Sequence, residues 1–202
     1  MKKSQTDKQK INLEEFRWIN QPANFKLNSE VLTLETNPKT DLWQRTYYGF
    51  RNDNAPAFLT EIEGDFTFSV KANFDYKNQY DQCGILLYQD SENWVKASIE
   101  NENKAIARLG SVVTNLGFSD WATTDIPASV SEVWYRLSRR GQDFYVEFSD
   151  DGEVYKQMRI LHMHSQITFA KVGVYACSPL ESNFKAVFSE FKIGPCQWQL
   201  HN

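Results

Sequence analysis

Cysteine, excess basic charge and long apolar runs are all scarce in this chain. Its 202 residues include only Cys83, Cys177 and Cys196, an odd number with no close pair, so we expect reduced thiols in a cytoplasmic protein. The net charge of −4 argues against a nucleic-acid partner. No run approaches the ~18 apolar residues of a membrane helix. Met1–Lys10 lacks the apolar core of a signal peptide, so we expect neither membrane insertion nor export.

Sequence patterns for metal binding and nucleophilic catalysis are equally sparse. His162-Met163-His164 would place two imidazoles on one face of a strand, but no third ligand is evident, and a solvated edge strand is favoured. Ser149–Gly152 is too short for a calcium loop and lacks its downstream acid. No Cys has a convincing His partner. We therefore predict no metal, no cofactor and no catalytic residue.

The paired carboxylates of a glycoside hydrolase cannot be placed from the sequence. Three acids alternate in Glu61–Asp65, but Gly64 interrupts them, and we interpret this segment as a turn that enters a strand. Glu100 and Glu147 are single acids on predicted strands. Hydrolysis needs two carboxyl groups ~5–5.5 Å or ~6.5–9.5 Å apart, so a hydrolase or lyase is the last of our three hypotheses.

Aromatic residues are abundant in this chain, and so are runs in which apolar and polar residues alternate. Phe, Trp and Tyr make up 14% of the residues, as is typical of a β-sheet core. Residues 66–74 alternate apolar and polar side chains, which predicts a half-buried strand. About a dozen such runs, without a convincing amphipathic helix, predict an all-β, two-sheet antiparallel β-sandwich of the jelly-roll type. We expect one domain over 13–196, between a disordered 1–12 and a tail at 197–202.

Several segments of the sandwich are assigned as breaks between strands. We assign Asp41–Phe50 to an aromatic loop with at most a short strand, and Arg51–Ala57 to a second loop. Gly110 would separate two strands, 105–109 and 111–116. The segment from Asn115 to Trp121 would be a loop in which Asn and Asp cap their own backbone.

The segment Tyr80–Glu100, YDQCGILLYQDSENWVKASIE, predicts the central hairpin of the sheet. If Tyr88 pairs with Trp94, one face carries Cys83, Ile85, Leu87, Val95, Ala97 and Ile99 and belongs to the core. The opposite face carries Gln82, Gly84, Leu86 and Tyr88 against Trp94, Lys96, Ser98 and Glu100. This second face mixes aromatic, charged and small side chains, which suits a small-ligand site.

On this second face we predict a trough over Gly84 and Ser98. Trp94 would stack on an apolar ring, and the polar side chains around it would hydrogen-bond the ligand. The predicted ligand-binding residues of the hairpin are Asp81, Gln82, Tyr88, Trp94, Lys96, Ser98 and Glu100. The alternative is a solvated sheet face with a weak Lys–Glu pair and with Trp94 packed under a loop.

A second group of residues is predicted to close and cover this trough. Asn115 and Trp121, with Ser119 and Asp120 between them, would lie at one end, although backbone capping is the favoured role of the loop. Tyr175 lies on the opposite face of its strand from Val174 and Ala176 and would line the trough. Arg45, Tyr47 and Tyr48 of the aromatic loop would cover it.

Several motifs together resemble an uncharacterised concanavalin A-like family named for the regulation of enolase. The motifs are YDQCGILLY, ENWVKASIE, VVTN-x-G-x-SDW, WYRLSRRG, SDDGEVY and VGVYACSP, which lie between Tyr80 and Pro179, and the resemblance as a whole covers about residues 14–194. The resemblance implies a single β-sandwich of the lectin and glucanase type and no established enzymatic activity. The sandwich is also similar to accessory domains of some glycoside hydrolases, which suggests a carbohydrate ligand by analogy only.

Three functional hypotheses follow from the sequence. The leading one is non-catalytic binding of a small carbohydrate-like or metabolite ligand in the trough. The second is a protein-interaction module that regulates a metabolic enzyme, with an exposed apolar patch at residues 42–50 or near Trp198. The third, a glycoside hydrolase or lyase, requires a second acid within reach of Glu100.

Overall fold

The structure, a computed structural model, describes residues 11–199 and is built almost entirely of strands. A 3-10 helix, Leu13–Glu15, precedes sixteen strands. The strands are β1 Arg17–Ile19, β2 Asn24–Leu27, β3 Leu32–Glu35, β4 Leu42–Gln44, β5 Arg51–Asp53, β6 Ala57–Glu63, β7 Thr67–Phe74, β8 Gln82–Asp90, β9 Asn93–Asn101, β10 Ile106–Asn115, β11 Phe118–Pro127, β12 Glu132–Arg140, β13 Asp143–Ser149, β14 Lys156–His162, β15 Phe169–Cys177 and β16 Lys185–Gly194.

Two seven-stranded antiparallel sheets form the body of the protein. The first sheet has the order β1-β6-β15-β8-β9-β10-β11, and the second has the order β14-β13-β12-β7-β16-β3-β2. Strands distant in sequence are neighbours in both sheets, because the chain crosses between the layers several times. The hairpin β4-β5 stands apart as a third, two-stranded unit. The predicted antiparallel jelly-roll sandwich is therefore confirmed.

The main core lies between the two sheets and follows the predicted period-2 patterns. In β7, Phe68, Val70, Ala72 and Phe74 are buried while the residues between them are partly exposed. The side chains of alternate strand positions point to opposite faces, so one face of β7 packs inward and the other meets water.

The central hairpin has the predicted register. Tyr88 pairs with Trp94 and Gly84 pairs with Ser98. The face that was assigned to the core is fully buried between the sheets, with exposures of 0–1% for Cys83, Ile85, Leu87, Val95, Ala97 and Ile99.

Some predicted loops are strands. Residues 105–116 hold one strand, β10, which runs through Gly110, and residues 118–121 begin the next strand, β11, after a tight turn. Gly110 is paired on both sides, to Ser98 and Thr123. Because the two neighbouring strands fix the backbone of Gly110, its weak intrinsic preference for a strand does not end β10.

The segment between residues 41 and 65 differs most from its prediction. It forms the hairpin β4-β5 and all of β6, where we expected two loops and a turn. Glu61 and Glu63 lie within β6, so the proposed entry turn is wrong, and the turn begins only at Gly64. The C-terminal end of β6 is partly exposed, so Glu61 and Glu63 face water. The sequence of this end therefore lacks the apolar pattern of a buried strand.

The predicted terminal segments lie only partly within the described residues. Residues 1–10 and 200–202 lie outside them. Ile11 packs against the core and Asn12 caps the first helix, so these two residues belong to the folded domain rather than to a disordered segment. At the other end, the Gln197 amide donates to Thr67 Oγ1 and Trp198 stacks on Tyr145 with ring centroids 5.3 Å apart. The described part of the chain contains no helix long and apolar enough to cross a bilayer.

Candidate functional site

A cleft of about 620 Å³ lies over the outer face of the first sheet. Its floor is made by strands β8, β9 and β10, and its walls are made by β11 and the hairpin β4-β5 with the loop that joins those two strands. Of the residues predicted from sequence, it contains Gln82, Lys96, Ser98, Glu100 and Trp121. Four of the side chains that the central hairpin turns away from the main core, those of Gln82, Lys96, Ser98 and Glu100, therefore line one concave site.

Strand register arranges the floor of this cleft in rows. Glu100 lies between Gln82 on β8 and Arg108 on β10, and Ser98 lies between Gly84 and Gly110. Residues directly opposite each other on neighbouring strands point to the same face. A polar row and a row of small residues therefore run side by side across the sheet.

The small row is open over Ser98 and Gly110, one strand away from the predicted position. Tyr175 pairs with Gly84, and its hydroxyl donates to Gln82 Oε1 at 2.9 Å, which carries the phenol ring across Gly84. Tyr175 is fully buried and does not line the cleft. The trough that the sequence predicts over Gly84 is thus filled by Tyr175. The sequence predicts the face of the sheet on which this side chain lies, but not that its ring occupies the trough.

Gln82 and Glu100 form the polar centre of the floor. Gln82 Nε2 donates to Glu100 Oε2 at 2.7 Å, while Gln82 Oε1 accepts the bond from Tyr175. Since Oε1 is occupied by a hydroxyl donor, the amide is fixed with its NH₂ group toward the carboxyl. The pair therefore presents the second oxygen of Glu100 to a ligand.

Glu100 has an unusual acidity for a carboxyl group. Burial raises its pKa to about 7, against the lowering effect of Lys96, and the carboxylates of Asp41 and Glu102 add to the rise while Arg108 opposes it. A carboxyl group that titrates near neutrality inside a cleft is typical of functional sites. At physiological pH, Glu100 is present in both protonation states and can accept or donate a hydrogen bond.

Lys96 is neutralised by Asp41 at the deep end of the cleft. Lys96 Nζ lies 3.3 Å from Asp41 Oδ1, and the exposed fractions of the two side chains are 5% and 15%. Burial alone would lower the pKa of Lys96, but the carboxylate of Asp41, with smaller contributions from Cys177 and Glu100, leaves the pKa raised. The ammonium group is therefore charged and already paired.

Arg108 also faces acids but is held more loosely than Lys96, since its side chain is 32% exposed. Its guanidinium group lies 3.4 Å from Glu102 and 3.9 Å from Asp125, and it sits 5.6 Å from the centre of the Trp121 ring. The Trp ring and the two acids hold the guanidinium against the wall.

Aromatic rings form the wall opposite the polar floor. Trp43 lies edge-on to Trp121 at a centroid distance of 6.5 Å and edge-on to Tyr48 at 5.5 Å. Tyr48 and Phe50 stack on each other at 5.5 Å with an interplanar angle of 20°. Tyr48 and Phe50 are 55% and 45% exposed, so part of each ring remains open to solvent although the two rings stack on each other.

The loop between β4 and β5 is anchored on the sheet by charged groups. Arg45 bonds both carboxylate oxygens of Glu92, at 2.8 and 3.1 Å, and donates to the Gly117 carbonyl at 2.7 Å. Arg51 bonds the same carboxylate from the other side. Chiefly because of the bond from Arg45, the pKa of Glu92 is lowered. These bonds fix the aromatic wall relative to the floor.

The stacking role predicted for Trp94 is wrong. Trp94 is 0% exposed and belongs to a second, smaller core beneath the hairpin β4-β5, with Leu42, Leu86 and Cys177 among its neighbours. The alternative, in which Trp94 packs under a loop segment, is the one observed. The sequence pattern identified the correct face of the sheet, but the hairpin covers this part of that face.

Three further predicted residues lie outside the cleft and have structural contacts. Asp81 is buried, and its Oδ2 accepts from the amides of Lys77 and Asn78, both at 2.9 Å, so it caps a loop. Tyr88 donates to Asp53 at 2.8 Å. Asn115 bridges to the segment after β14, since it donates to the His162 carbonyl at 3.1 Å and accepts from the amide of residue 164 at 3.0 Å.

Sequence reasoning missed much of the cleft lining. The missed residues include Asp41, Trp43, Phe50, Glu102, Arg108 and Gly110. If β10 had been predicted as one continuous strand, Arg108 and Gly110 would have been placed on this face, because they alternate with core residues. The residues of the β4-β5 hairpin carried no such signal.

A histidine pair and two smaller clefts are weaker candidates for a functional site. His162 and His164 have ring centroids 5.6 Å apart, and His162 Nδ1 lies 2.6 Å from Asp143. In residues 11–199 no three His, Cys, Asp or Glu side chains are grouped so that they could hold a metal ion. Two further clefts, of about 410 and 580 Å³, lie by the first helix and by β1-β6, and neither is lined by a buried charged side chain.

Comparison with known proteins gives a family but no activity. Residues 18–196 match the model of the family described as protein of unknown function (DUF1349). The chain is 32% identical over 191 residues to "Regulation of enolase protein 1" of Saccharomyces cerevisiae, covering 94% of this chain and 95% of that protein. The resemblance to the enolase-regulation family is therefore confirmed.

Solved structures agree with the sandwich. The crystal structure of a functionally unknown protein from Saccharomyces cerevisiae superposes with a TM-score of 0.87 at 30% identity, over 93% of this chain and all (100%) of that one. The GH43 BlXynB protein from Bacillus licheniformis gives a TM-score of 0.69 at 15% identity, over 89% of this chain but only 36% of that one. The second likeness shows the fold alone.

Proposed function

The chain belongs to the family described as protein of unknown function DUF1349, and we propose that it binds a small, carbohydrate-like ligand in the cleft over β8, β9 and β10 without transforming it. The observation that carries the proposal is the pairing of Gln82 and Glu100 opposite an aromatic wall. A carboxyl–amide pair bonds neighbouring hydroxyl groups, and aromatic faces stack on the apolar face of a sugar ring. Pockets of this composition, apolar walls with a few convergent polar groups, suit small ligands.

Thermal-shift measurements against a panel of mono- and oligosaccharides and sugar phosphates test this proposal. A ligand at 100 times its dissociation constant adds about 2.7 kcal/mol of stability. For a domain of this size the expected rise in Tm is about 5–10 °C.

Two variants locate the binding. Trp121→Ala removes part of the aromatic wall and should abolish the shift, whereas Glu100→Gln alters one hydrogen-bonding group of the floor and should reduce the shift. Trp134→Ala is the matched control, because this partly exposed Trp lies on the second sheet, in cation–π contact with Lys71 and outside the cleft. Normal binding by both cleft variants would place the ligand elsewhere.

A protein-interaction module is the second candidate, favoured by exposed rings beside the cleft. Tyr47 is 92% exposed on the loop between β4 and β5, next to Tyr48 and Phe50. The yeast relative carries enolase regulation in its name. Affinity capture with enolase as the probe, comparing wild type with Tyr47→Ser, separates this candidate from ligand binding, because Tyr47 does not line the cleft.

Hydrolysis is the third candidate. Asp41 and Glu102 share the cleft with Glu100, so further acids lie in the same site, as this hypothesis requires. Their environments differ, since Asp41 is paired with Lys96 while burial raises the pKa of Glu100 to about 7. Release of chromophore from aryl glycosides, lost in Glu100→Gln, would replace the binding proposal with this one.

We assign the protein to the cytoplasm as part of the same proposal. Cys83, Cys177 and Cys196 are all free thiols, and Cys83 and Cys177 are buried. Chains kept in reducing compartments use cysteine in this way. Imaging of a fluorescent fusion tests the assignment.

A further inference from the structure

The charged groups of the cleft are not equally available to a ligand. The cleft is lined by the acids Asp41, Glu100 and Glu102 and by the bases Lys96 and Arg108. Both bases are in ion pairs, Lys96 with Asp41 at 3.3 Å and Arg108 with Glu102 at 3.4 Å. Within residues 11–199, Glu100 is the cleft acid that forms no ion pair. Among the described residues, the cleft therefore has one acid without an ion-pair partner, and each of its two bases faces at least one carboxylate.

We infer that the cleft takes a neutral, hydroxyl-rich ring and discriminates against anionic counterparts such as uronates and sugar phosphates, an inference that rests on the proposed function. A carboxylate or phosphate is bound in proteins by unpaired Arg or Lys groups. Here such a ligand would have to displace Asp41 from Lys96, whose side chain is only 5% exposed, or compete at Arg108 with the carboxylates of Glu102 and Asp125, which lie 3.4 and 3.9 Å from its guanidinium group. It would also meet the carboxyl group of Glu100.

A neutral hydroxyl group meets no such obstacle. Glu100 is held by the Gln82 amide through one oxygen, which leaves the other for a ligand. Because burial raises the pKa of Glu100 to about 7, its carboxyl group accepts from a hydroxyl group when ionised and donates to one when protonated. A hydroxyl group can satisfy both states, whereas an anion can satisfy only the protonated one.

The wall supports a ring rather than an open chain. The Tyr48 and Phe50 rings are nearly parallel, with an interplanar angle of 20°. Beside them, Trp43 and Trp121 meet at 82° and close the corner of the cleft. A flat apolar surface beside a polar floor fits a ring with C–H groups on one face and hydroxyl groups at its edge.

Matched ligand sets test the inference directly. Glucose, galactose and mannose are each compared with the corresponding uronate and 2-amino sugar by ligand-observed NMR titration at neutral pH. The neutral sugar of the accepted series should bind at least about tenfold more tightly than its uronate, since like charges facing each other at a site are strongly unfavourable. In Glu100→Gln the ratio between uronate and neutral sugar should move toward one.

Glu63→Gln is the control for this variant. It makes the same chemical change on the exposed end of β6, outside the cleft, and should leave the ratio at its wild-type value. Circular dichroism of both variants checks that the fold is intact.

Failure of the inference and failure of the proposed function give different results in this experiment. A uronate that binds as tightly as the neutral sugar would overturn the inference and leave carbohydrate binding standing, and so would an amino sugar that binds about tenfold more tightly than the neutral one. If no member of any series binds, the proposed function fails and the inference fails with it.

Discussion

Gln82 donates to Glu100 across the central hairpin at 2.7 Å, and it can do so in only one orientation because its carbonyl oxygen accepts from Tyr175 at 2.9 Å. A buried tyrosine on β15 thus determines which hydrogen bonds the floor of the cleft offers. The position of Glu100 depends on this chain of contacts as well as on its own strand.

The unusual acidity of Glu100 should be visible in the pH dependence of stability. The folded protein keeps this proton up to about pH 7, whereas the ordinary pKa of a Glu carboxyl group is 4.5. Between these values the folded state binds more protons than the unfolded state, so the contribution of Glu100 to the free energy of unfolding falls as the pH rises. Glu100→Gln removes this fall, and the variant should gain up to about 3 kcal/mol over wild type between pH 4.5 and pH 8.

Urea unfolding of both proteins across this pH range measures the difference. Glu63→Gln, on the exposed end of β6, is the matched control for the loss of a carboxyl group. Parallel stability curves for wild type and Glu100→Gln would show that the carboxyl group of Glu100 titrates normally.

Tyr175→Phe should disturb both stability and the cleft. The change leaves the carbonyl oxygen of Gln82, a buried residue, without its donor, at a cost of about 1–3 kcal/mol. The amide keeps its bonds to the Tyr80 carbonyl and to Glu100 but loses the contact that anchors its oxygen, so ligand affinity should fall although Tyr175 does not line the cleft. Tyr145→Phe, on the second sheet, is the control. A variant with lowered stability but unchanged affinity would show that Gln82 keeps its orientation without Tyr175.

Asp41→Asn should destabilise the protein by leaving Lys96 buried without a counterion. The loss of one partner of a buried ion pair costs about 3–5 kcal/mol, and the lower end is expected here because the Asp41 side chain is 15% exposed. The exposed pair between Asp75 and Lys77 provides the control, since Asp75→Asn should change the stability little. Equal effects of the two substitutions in urea unfolding would mean that the Asp41 pair is solvated.

Gly84→Ala should be destabilising even though Ala is a small residue. An added Cβ would lie 1.9 Å from the Ala97 carbonyl oxygen, so the backbone of the central hairpin would have to move. Overpacking of this kind costs about 1–3 kcal/mol. Gly194→Ala is the control, because nothing lies within 4 Å of that position. Thermal unfolding of the two variants gives the comparison, and similar Tm values would contradict the close approach.

Arg45→Ala should loosen the aromatic wall without unfolding the sandwich. Arg45 bonds Glu92 and the Gly117 carbonyl, and these contacts tie the loop between β4 and β5 to the sheet. Faster hydrogen exchange is expected in residues 45–50, together with weaker ligand binding and a small change in Tm. Lys77→Ala, which breaks another exposed pair, is the control. Unchanged exchange in residues 45–50 would show that packing alone holds the loop.

Local sequence patterns were sufficient for the sandwich and for the central hairpin. The register of Tyr88 with Trp94 follows from the turn between two apolar runs, and the period of two then assigns residues 82–88 and 94–100 to their faces. Gln82, Lys96, Ser98 and Glu100 were found in this way. The position of Glu100 opposite Arg108 also follows from alternation, once β10 is taken as a single strand.

What covers each part of that face was decided only by the tertiary structure. The hairpin β4-β5 buries Trp94, and Tyr175 fills the space over Gly84, so the cleft opens over Ser98 and Gly110. Alternation within a strand states which side chains share a face, because it is a property of the local backbone. It carries no information on which distant segment packs there, since that depends on the shape and burial of residues far away in the sequence.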